Sequence, residues 1–304
     1  MKKTITPSQN PFLTFVLCPP YYVETKIKNN SWMDKKISGN LTIDHEKFLG
    51  EWWNMYEIMT ANSLVFLLPP KKGLQDQTYV NSFVCLNDGK TIILSKFRAK
   101  GRKGEEKIAG NFLKKLGYNV IQSPYFFEGY PELKFSGQKD KKDKDIYYGG
   151  YGIRSEINFH KWAEKEFNIK IIKLREVDPF LYHLDCSLFV LNKDNVMVCT
   201  EMFTKKELKQ IEKITEIHDV SIDSAYQGIT NSIKIGDFVI NASSLDYMKE
   251  TDKWYKQEKN KNKELEKICD KVGLEIVYVS LSEAMKSGAL ASCFVTPLNY
   301  QLLI

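Results

Sequence analysis

Apolar residues along the chain fall into short runs punctuated by turns. Positions 11–18 read as a first strand, ended by Pro19-Pro20, which cannot continue a ladder. From 45 to 61 the period lengthens to that of a helix, with Phe48, Trp52, Tyr56 and Met59 at helical spacing. A strand at 64–68 stops at Pro69-Pro70. Strands at 79–86 and 91–96 then flank the hairpin turn Asn87-Asp88-Gly89-Lys90, and a helix spans 104–115. Strands at 132–135 and 145–151, joined by a lysine- and aspartate-rich loop, precede a helix at 155–167. Strands at 186–191 and 195–200 precede a helix at 205–214, and strands at 232–235 and 238–241 precede one at 244–272. A last strand at 276–279 leads through 282–287 to a closing segment at 291–303.

Strand–turn–strand–helix thus appears four times, and the two ends of the chain supply a fifth copy between them. The copies recur at a spacing of roughly 45–60 residues without a shared consensus, and such periods predict a closed ring or a repeat array. Termini that complete one unit favour closure. No low-complexity linker interrupts residues 1–304, which predicts a single domain. The run 256–267, rich in lysine and glutamate, reads as a solvated helix face.

Composition narrows the class. With 43% hydrophobic and 27% charged residues, the 304-residue chain is globular and can bury a substantial core. Its net charge of +6 is mild and its basic residues are interleaved with acidic ones, which argues against a nucleic-acid partner. The six cysteines lack zinc-site spacing, and the four histidines add no paired ligand motif. No apolar run approaches the ~20 residues of a membrane span, and Met1-Lys2-Lys3-Thr4 opens no apolar signal core. A reduced, cytoplasmic protein with no membrane partner is expected.

Within the apolar stretch 180–190, His183 and Asp185 interrupt what otherwise reads as a buried strand. Two residues apart on an extended chain, they leave the same face. Buried polar groups of this kind need partners. The pair is either a structural His–Asp contact or part of a site. Four further stretches carry residues that packing logic does not predict. Glu128 follows the aromatics Tyr125-Phe126-Phe127, where it could bind a cation, serve as acid/base, or simply end a strand. Gly149-Gly150-Tyr151-Gly152-Ile153-Arg154 combines close backbone approach with a guanidinium able to hold a carboxylate. Asn81 is an amide within a strand. Cys293 follows the mostly small residues Gly288-Ala289-Leu290-Ala291-Ser292 and is either a core residue or a nucleophile.

The order of these features resembles the pentein superfamily of guanidine-modifying enzymes: arginine deiminases, dimethylargininases, amidinotransferases and arginine dihydrolases. Cys18-Pro19-Pro20-Tyr21 and Asn30-Ser31-Trp32-Met33 are similar to the family's Cys-Pro-Pro and Asn-Pro-Trp-Met segments, with Ser31 in place of proline. Tyr79-Val80-Asn81-Ser82 is similar to its Phe-Thr-Ala-Asn segment. The resemblance spans nearly the whole chain. It implies an α/β fold, a five-bladed propeller of strand–turn–strand–helix units around a central site.

It also implies a role for each residue. Cys293 would be the nucleophile forming a covalent thiouronium, and His183 would protonate the leaving group and then activate water. Glu128 would bind guanidinium nitrogens and orient His183, with Asp185 a second acidic contact. Arg154 would take the substrate's α-carboxylate. Asn81 and Asn30 would bind substrate and lean toward the dihydrolase outcome. No metal or organic cofactor is implied, and the partner is a small guanidino molecule. Amidinotransferase and dimethylargininase activity use the same three catalytic residues. A non-catalytic binding protein could share the fold. The chain departs from the family where Glu-Gly-Gly-Gly-Asp becomes Glu128-Gly129-Tyr130-Pro131-Glu132 and where the glycine-rich lead into the cysteine is reduced.

Overall fold

The computed structural model describes residues 6–34, 39 and 41–300, so residues 1–4 and the end of the closing segment, 301–303, lie outside the described residues. The chain opens with β1 (Thr14–Leu17), followed by helix α1 (His45–Asn62) and β2 (Leu64–Leu67). The next unit holds β3 (Phe83–Cys85), β4 (Thr91–Leu94), α2 (Glu105–Lys115) and β5 (Asn119–Gln122). The third holds β6 (Leu133–Lys139), β7 (Asp145–Tyr151), α3 (Ile157–Glu166) and β8 (Lys170–Arg175). The fourth holds β9 (Leu188–Asn192), β10 (Asn195–Val198), α4 (Lys205–Ile211) and β11 (Glu216–Asp219). In the fifth, a short helix α5 (Ile222–Tyr226) precedes β12 (Ile233–Ile235), β13 (Phe238–Ala242), α6 (Tyr255–Val272) and β14 (Glu275–Val279). Helix α7 (Ser282–Met285) and β15 (Thr296–Pro297) complete the described chain.

The strands form five three-stranded sheets. In four of them an antiparallel hairpin is joined, after its helix, by a third strand parallel to the middle one. The fifth sheet, ordered β15-β1-β2, takes its first strand from the C-terminal part of the chain: Phe15 pairs with Pro297 and Val16 with Thr296. The expected completion of one unit by both ends is therefore present, and with it the five-unit α/β architecture.

Burial explains the order of the layers. The middle strands β1, β4 and most of β10 are buried along their length, whereas the outer strands β2 and β5 are half exposed. Three of the outer strands went unread because Asn119–Gln122, Lys170–Arg175 and Glu216–Asp219 mix polar ends with a few apolar residues, as an edge strand must. A central apolar cluster reaches from Phe15 and Trp52 through Phe127 and Leu133 to Ile240 and Phe294, and smaller clusters seat the helices on their sheets.

Two other expectations need correction. The helix expected from 244 begins at Tyr255, after a separate 3-10 turn at Leu245–Tyr247. Within it the lysine-rich run is not wholly solvated. Lys261 is completely buried, donating to Glu258 at 2.8 Å and to the Ala242 carbonyl at 2.5 Å. Among the described residues no helix is long and apolar enough to cross a membrane.

Two glutamates tie α1 to α7. Glu51 accepts from the backbone of Ser282 and Glu283, both at 3.0 Å, and from the Ser282 hydroxyl at 2.6 Å. Glu283 in turn accepts from the backbone N–H of Asp44, the N-cap of α1, at 2.8 Å. Each carboxylate thus satisfies donors at the start of the other's helix. Replacing Glu51 by Ala strands those donors and is expected to lower stability by about 2 kcal/mol in urea unfolding.

Candidate active site

Glu128 is carried inward by backbone geometry. Phe127 bridges to Lys96, with N–H···O bonds of 2.9 and 3.1 Å in the two directions. Gly129 then turns at φ +69°, where a Cβ would lie 2.1 Å from the Asn81 carbonyl oxygen, so only glycine lets the chains meet. The Glu128 carboxylate is completely buried, and all its capacity is used. Oε1 accepts from the backbone N–H groups of Arg98 and Ala99 at 3.1 and 3.2 Å. Oε2 receives Arg154 Nη1 and pairs with His183 Nε2, each at 2.9 Å. Burial alone would raise this carboxyl, but the Arg154 guanidinium and the His183 hydrogen bond outweigh it and hold Glu128 down at about 2.

His183 and Asp185 reach the site by a route other than the expected strand. Leu184–Cys186 form a 3-10 turn, His183 is its extended N-cap, and the strand starts only at Leu188. A strand-like apolar sequence has been wound into a turn because its polar side chains find partners there. His183 meets Glu128, while Asp185 accepts from the Ser292 hydroxyl at 2.6 Å. Cys186 packs at the edge of a separate apolar cluster.

Cys293 sits in the 3-10 turn Ala291–Phe294, just before β15. Asn231, to which the sequence drew no attention, positions it. Its Oδ1 accepts from Ser292 N at 3.0 Å and its Nδ2 approaches Cys293 Sγ at 3.5 Å. Burial, with help from nearby Asp185, pushes the Cys293 thiol up to about 11.

Cys293, His183, Asn81, Asn30 and Arg154 line one cavity. Asn81 is buried and its Oδ1 has no hydrogen-bond partner among the described residues. Asn30 caps the turn Ser31–Met33 and donates to the Ser287 carbonyl at 2.8 Å. Gly288 permits that approach, since a Cβ there would lie 2.7 Å from Asn30 Oδ1. Arg154 also donates to the Asn29 carbonyl and lies over the Tyr182 ring, 4.6 Å from its centroid. Glu128 and Asp185 stand behind this lining, the first holding His183 and the second holding the residue before Cys293.

Asp76 and Arg102 also line the cavity and were missed. Asp76 lies in the polar run Gln75-Asp76-Gln77-Thr78, which reads as an exposed loop yet is buried throughout. Arg102, in an ordinary-looking basic stretch, bonds Glu105 at 2.7 and 3.2 Å. The close approach read from Gly149 and Gly150 makes room for His160 and for the buried carboxyls of Glu132 and Glu176.

Five strand-rich units with a buried Glu–His pair and a cysteine on one cavity place the protein in the pentein superfamily of guanidine-modifying enzymes. Within it, the chain belongs to the family described as N,N dimethylarginine dimethylhydrolase, eukaryotic, whose model matches residues 20–300. It is similar to the bifunctional arginine dihydrolase/ornithine cyclodeaminase AgrE of Nostoc sp., 25% identical over 92% of this chain and 37% of that protein. The chain thus spans less than half the length of that relative. It is 22% identical to N(G),N(G)-dimethylarginine dimethylaminohydrolase of Mycobacterium tuberculosis, over 92% of this chain and 83% of that protein. The solved N-terminal domain of ArgZ, a cyanobacterial arginine dihydrolase with substrate bound, matches with a TM-score of 0.80 at 22% identity, covering 94% of this chain and 98% of that one.

Two pH dependences follow from these environments. A carboxyl lowered from 4.5 to about 2 contributes stability that is complete above pH 4.5 and disappears as the pH falls toward 2. Glu128→Gln is therefore expected to cost about 3 kcal/mol near pH 7 and progressively less below pH 4, read from urea melts across that range. The buried thiol is protonated at neutral pH. Iodoacetamide should alkylate Cys293 slowly at pH 7 and about tenfold faster per added pH unit, up to about 11, as followed by peptide mass spectrometry.

Proposed function

We propose that the protein is a cysteine-dependent hydrolase of the guanidinium group of arginine or a close relative, acting as one catalytic domain. The observation that carries this reading is the convergence of Cys293, His183 and the unpaired Asn81 carbonyl on one cavity, with His183 fixed from behind by Glu128. A guanidinium is planar, delocalised and a poor electrophile. Its hydrolysis needs acceptors for the N–H edge, a thiolate aimed at the central carbon and an acid for the leaving amine.

Asn81 Oδ1 supplies an acceptor that lacks an internal donor. The Glu128 oxygens are all engaged by protein groups, which favours its orienting role toward His183; a substrate contact would have to displace one of them. Cys293 Sγ attacks the central carbon to form the thiouronium, and His183 donates to the departing amine and then takes a proton from water. The thiol that burial keeps protonated becomes easier to ionise once a cationic guanidinium lies beside it. Asp76, Arg102 and Arg154 give the cavity both signs of charge, matched to the ammonium and carboxylate of an amino acid. Asn30 binds at the cavity wall, and Asp185 acts through Ser292. The free cysteines suit a reducing, cytoplasmic setting.

The similarity to AgrE and ArgZ supports a dihydrolase outcome, in which arginine and two waters give ornithine, two ammonia and carbon dioxide. The family match supports a second outcome, dimethylarginine giving citrulline and dimethylamine. Incubation with arginine and with dimethylarginine, following ornithine, citrulline, ammonia and dimethylamine, separates them. Two ammonia per ornithine establishes the first, and dimethylamine with citrulline the second. Cys293→Ala should reduce turnover by about 10⁴-fold or more, and turnover surviving in that variant refutes the thiol mechanism. Asn81→Ala should weaken substrate binding with Cys293 alkylation in the free protein unchanged.

A further inference from the structure

Behind the His183–Asp185 turn lie two carboxyls that this chemistry does not use. Glu132 closes the 3-10 turn Tyr130–Glu132, and Glu176 directly follows β8. Both are buried, Glu132 completely. None of their four oxygens has a hydrogen-bond donor among the described residues. Of the neighbouring cations, Arg154 and His183 are committed to Glu128, and buried Lys134 stands over the Tyr130 ring, 3.4 Å from its centroid.

The two carboxyls face each other. A Cβ on Gly150 would lie 2.3 Å from Glu132 Oε2, 2.6 Å from Glu176 Oε1 and 2.9 Å from Leu184 Cβ. One missing methyl group therefore marks a point shared by both carboxyls and by the residue after His183. The side chains are within hydrogen-bond reach of one another. Two carboxylates so placed in a low-dielectric interior, without a cation between them, cannot both stay ionised.

We propose that Glu132 and Glu176 hold one proton between them and act as a single buried negative charge that positions and biases His183. The effect on His183 rests on the reading of that residue as the acid–base group; the shared proton does not. Other charged groups bear on the pair. His183, Glu128, Asp185 and Lys134 act on Glu132, while Asp185 and Arg154 act on Glu176. Burial raises both carboxyls, and Glu132 adds further to the rise at Glu176. His183 itself is faced by Glu128, by Glu132 and by Arg154 through their common carboxylate. The departure at position 132 then has a reason. Glutamate is one methylene longer than the aspartate of the resembled motif, and that length carries its carboxyl toward Glu176.

The test uses the double variant Glu132→Gln/Glu176→Gln, which keeps the shape and removes both the proton and the charge. If the pair stays half-protonated in the native state, folding near neutral pH takes up one proton that the ionised, unfolded glutamates lack. The unfolding equilibrium constant of the parent should then rise with pH about tenfold per unit more steeply between pH 6 and 8 than that of the variant. Equal slopes overturn the shared proton. Should the variant not fold, NMR of the Glu132 and Glu176 carboxyl carbons in the parent decides the same point: one proton retained between them at pH 7 supports it, and two full ionisations overturn it. In the active enzyme, removing the charge should move the alkaline limb of the pH–rate profile down by about one unit. An unmoved profile overturns the link to His183 even if the slopes differ. Absence of turnover in the parent would refute the catalytic reading and leave the slopes to decide the pair.

Discussion

The buried carboxylate of Glu128 is the constraint on which the site depends. An ionised group with no access to water is tolerable only if every lone pair is met, and here four protein donors from three parts of the chain meet it. Those donors are not free to wander. The Arg98–Ala99 backbone, the Arg154 guanidinium and the His183 ring are each drawn to one point, which fixes their relative positions more firmly than apolar packing could. The cost of burying one charge is thereby converted into geometric definition at the cavity.

The remaining components arrive from the far end of the chain and depend on closure of the ring. Cys293 precedes a strand that pairs with β1, Asn231 holds the turn on one side, and Asp185 holds it on another through Ser292. The Asn30 loop meets Ser287 and Gly288 where the missing Cβ allows contact. Residues scattered across the sequence thus become one lining because five small sheets share a centre.

Much of this was legible in the residues themselves. Middle strands and amphipathic helices declare themselves because burial demands a continuous apolar run or a helical stripe, as in Thr91–Leu94 and His45–Asn62. The half-exposed outer strands, such as Glu216–Asp219, carry too few apolar residues to stand out from loops. His183 and Asp185 were found for a sound reason, since polar groups in an apolar run need partners, but with the wrong backbone. Only the three-dimensional partners Glu128 and Ser292 show that a turn serves better than a strand. Asp76, Arg102 and Asn231 left no trace. Polar residues in a polar stretch look solvated, and their burial depends on what other units lay over them. Lys261 was misread for the same reason.

Among the described residues the pairing of β15 with β1 involves two residue pairs, continued by the Leu298 N–H donating to the Thr14 carbonyl at 2.8 Å. The sulfur-bearing turn is therefore anchored to this seam and held by side-chain contacts to Asn231 and Asp185, while the Thr296 hydroxyl donates to the Val80 carbonyl and Asn299 to the Phe12 carbonyl. An opening there that withdrew Cys293 from the cavity would also expose Phe294, Val295 and Leu298, which are buried in the apolar clusters. The thiol's position is thus tied to the burial of the seam that completes the fifth sheet.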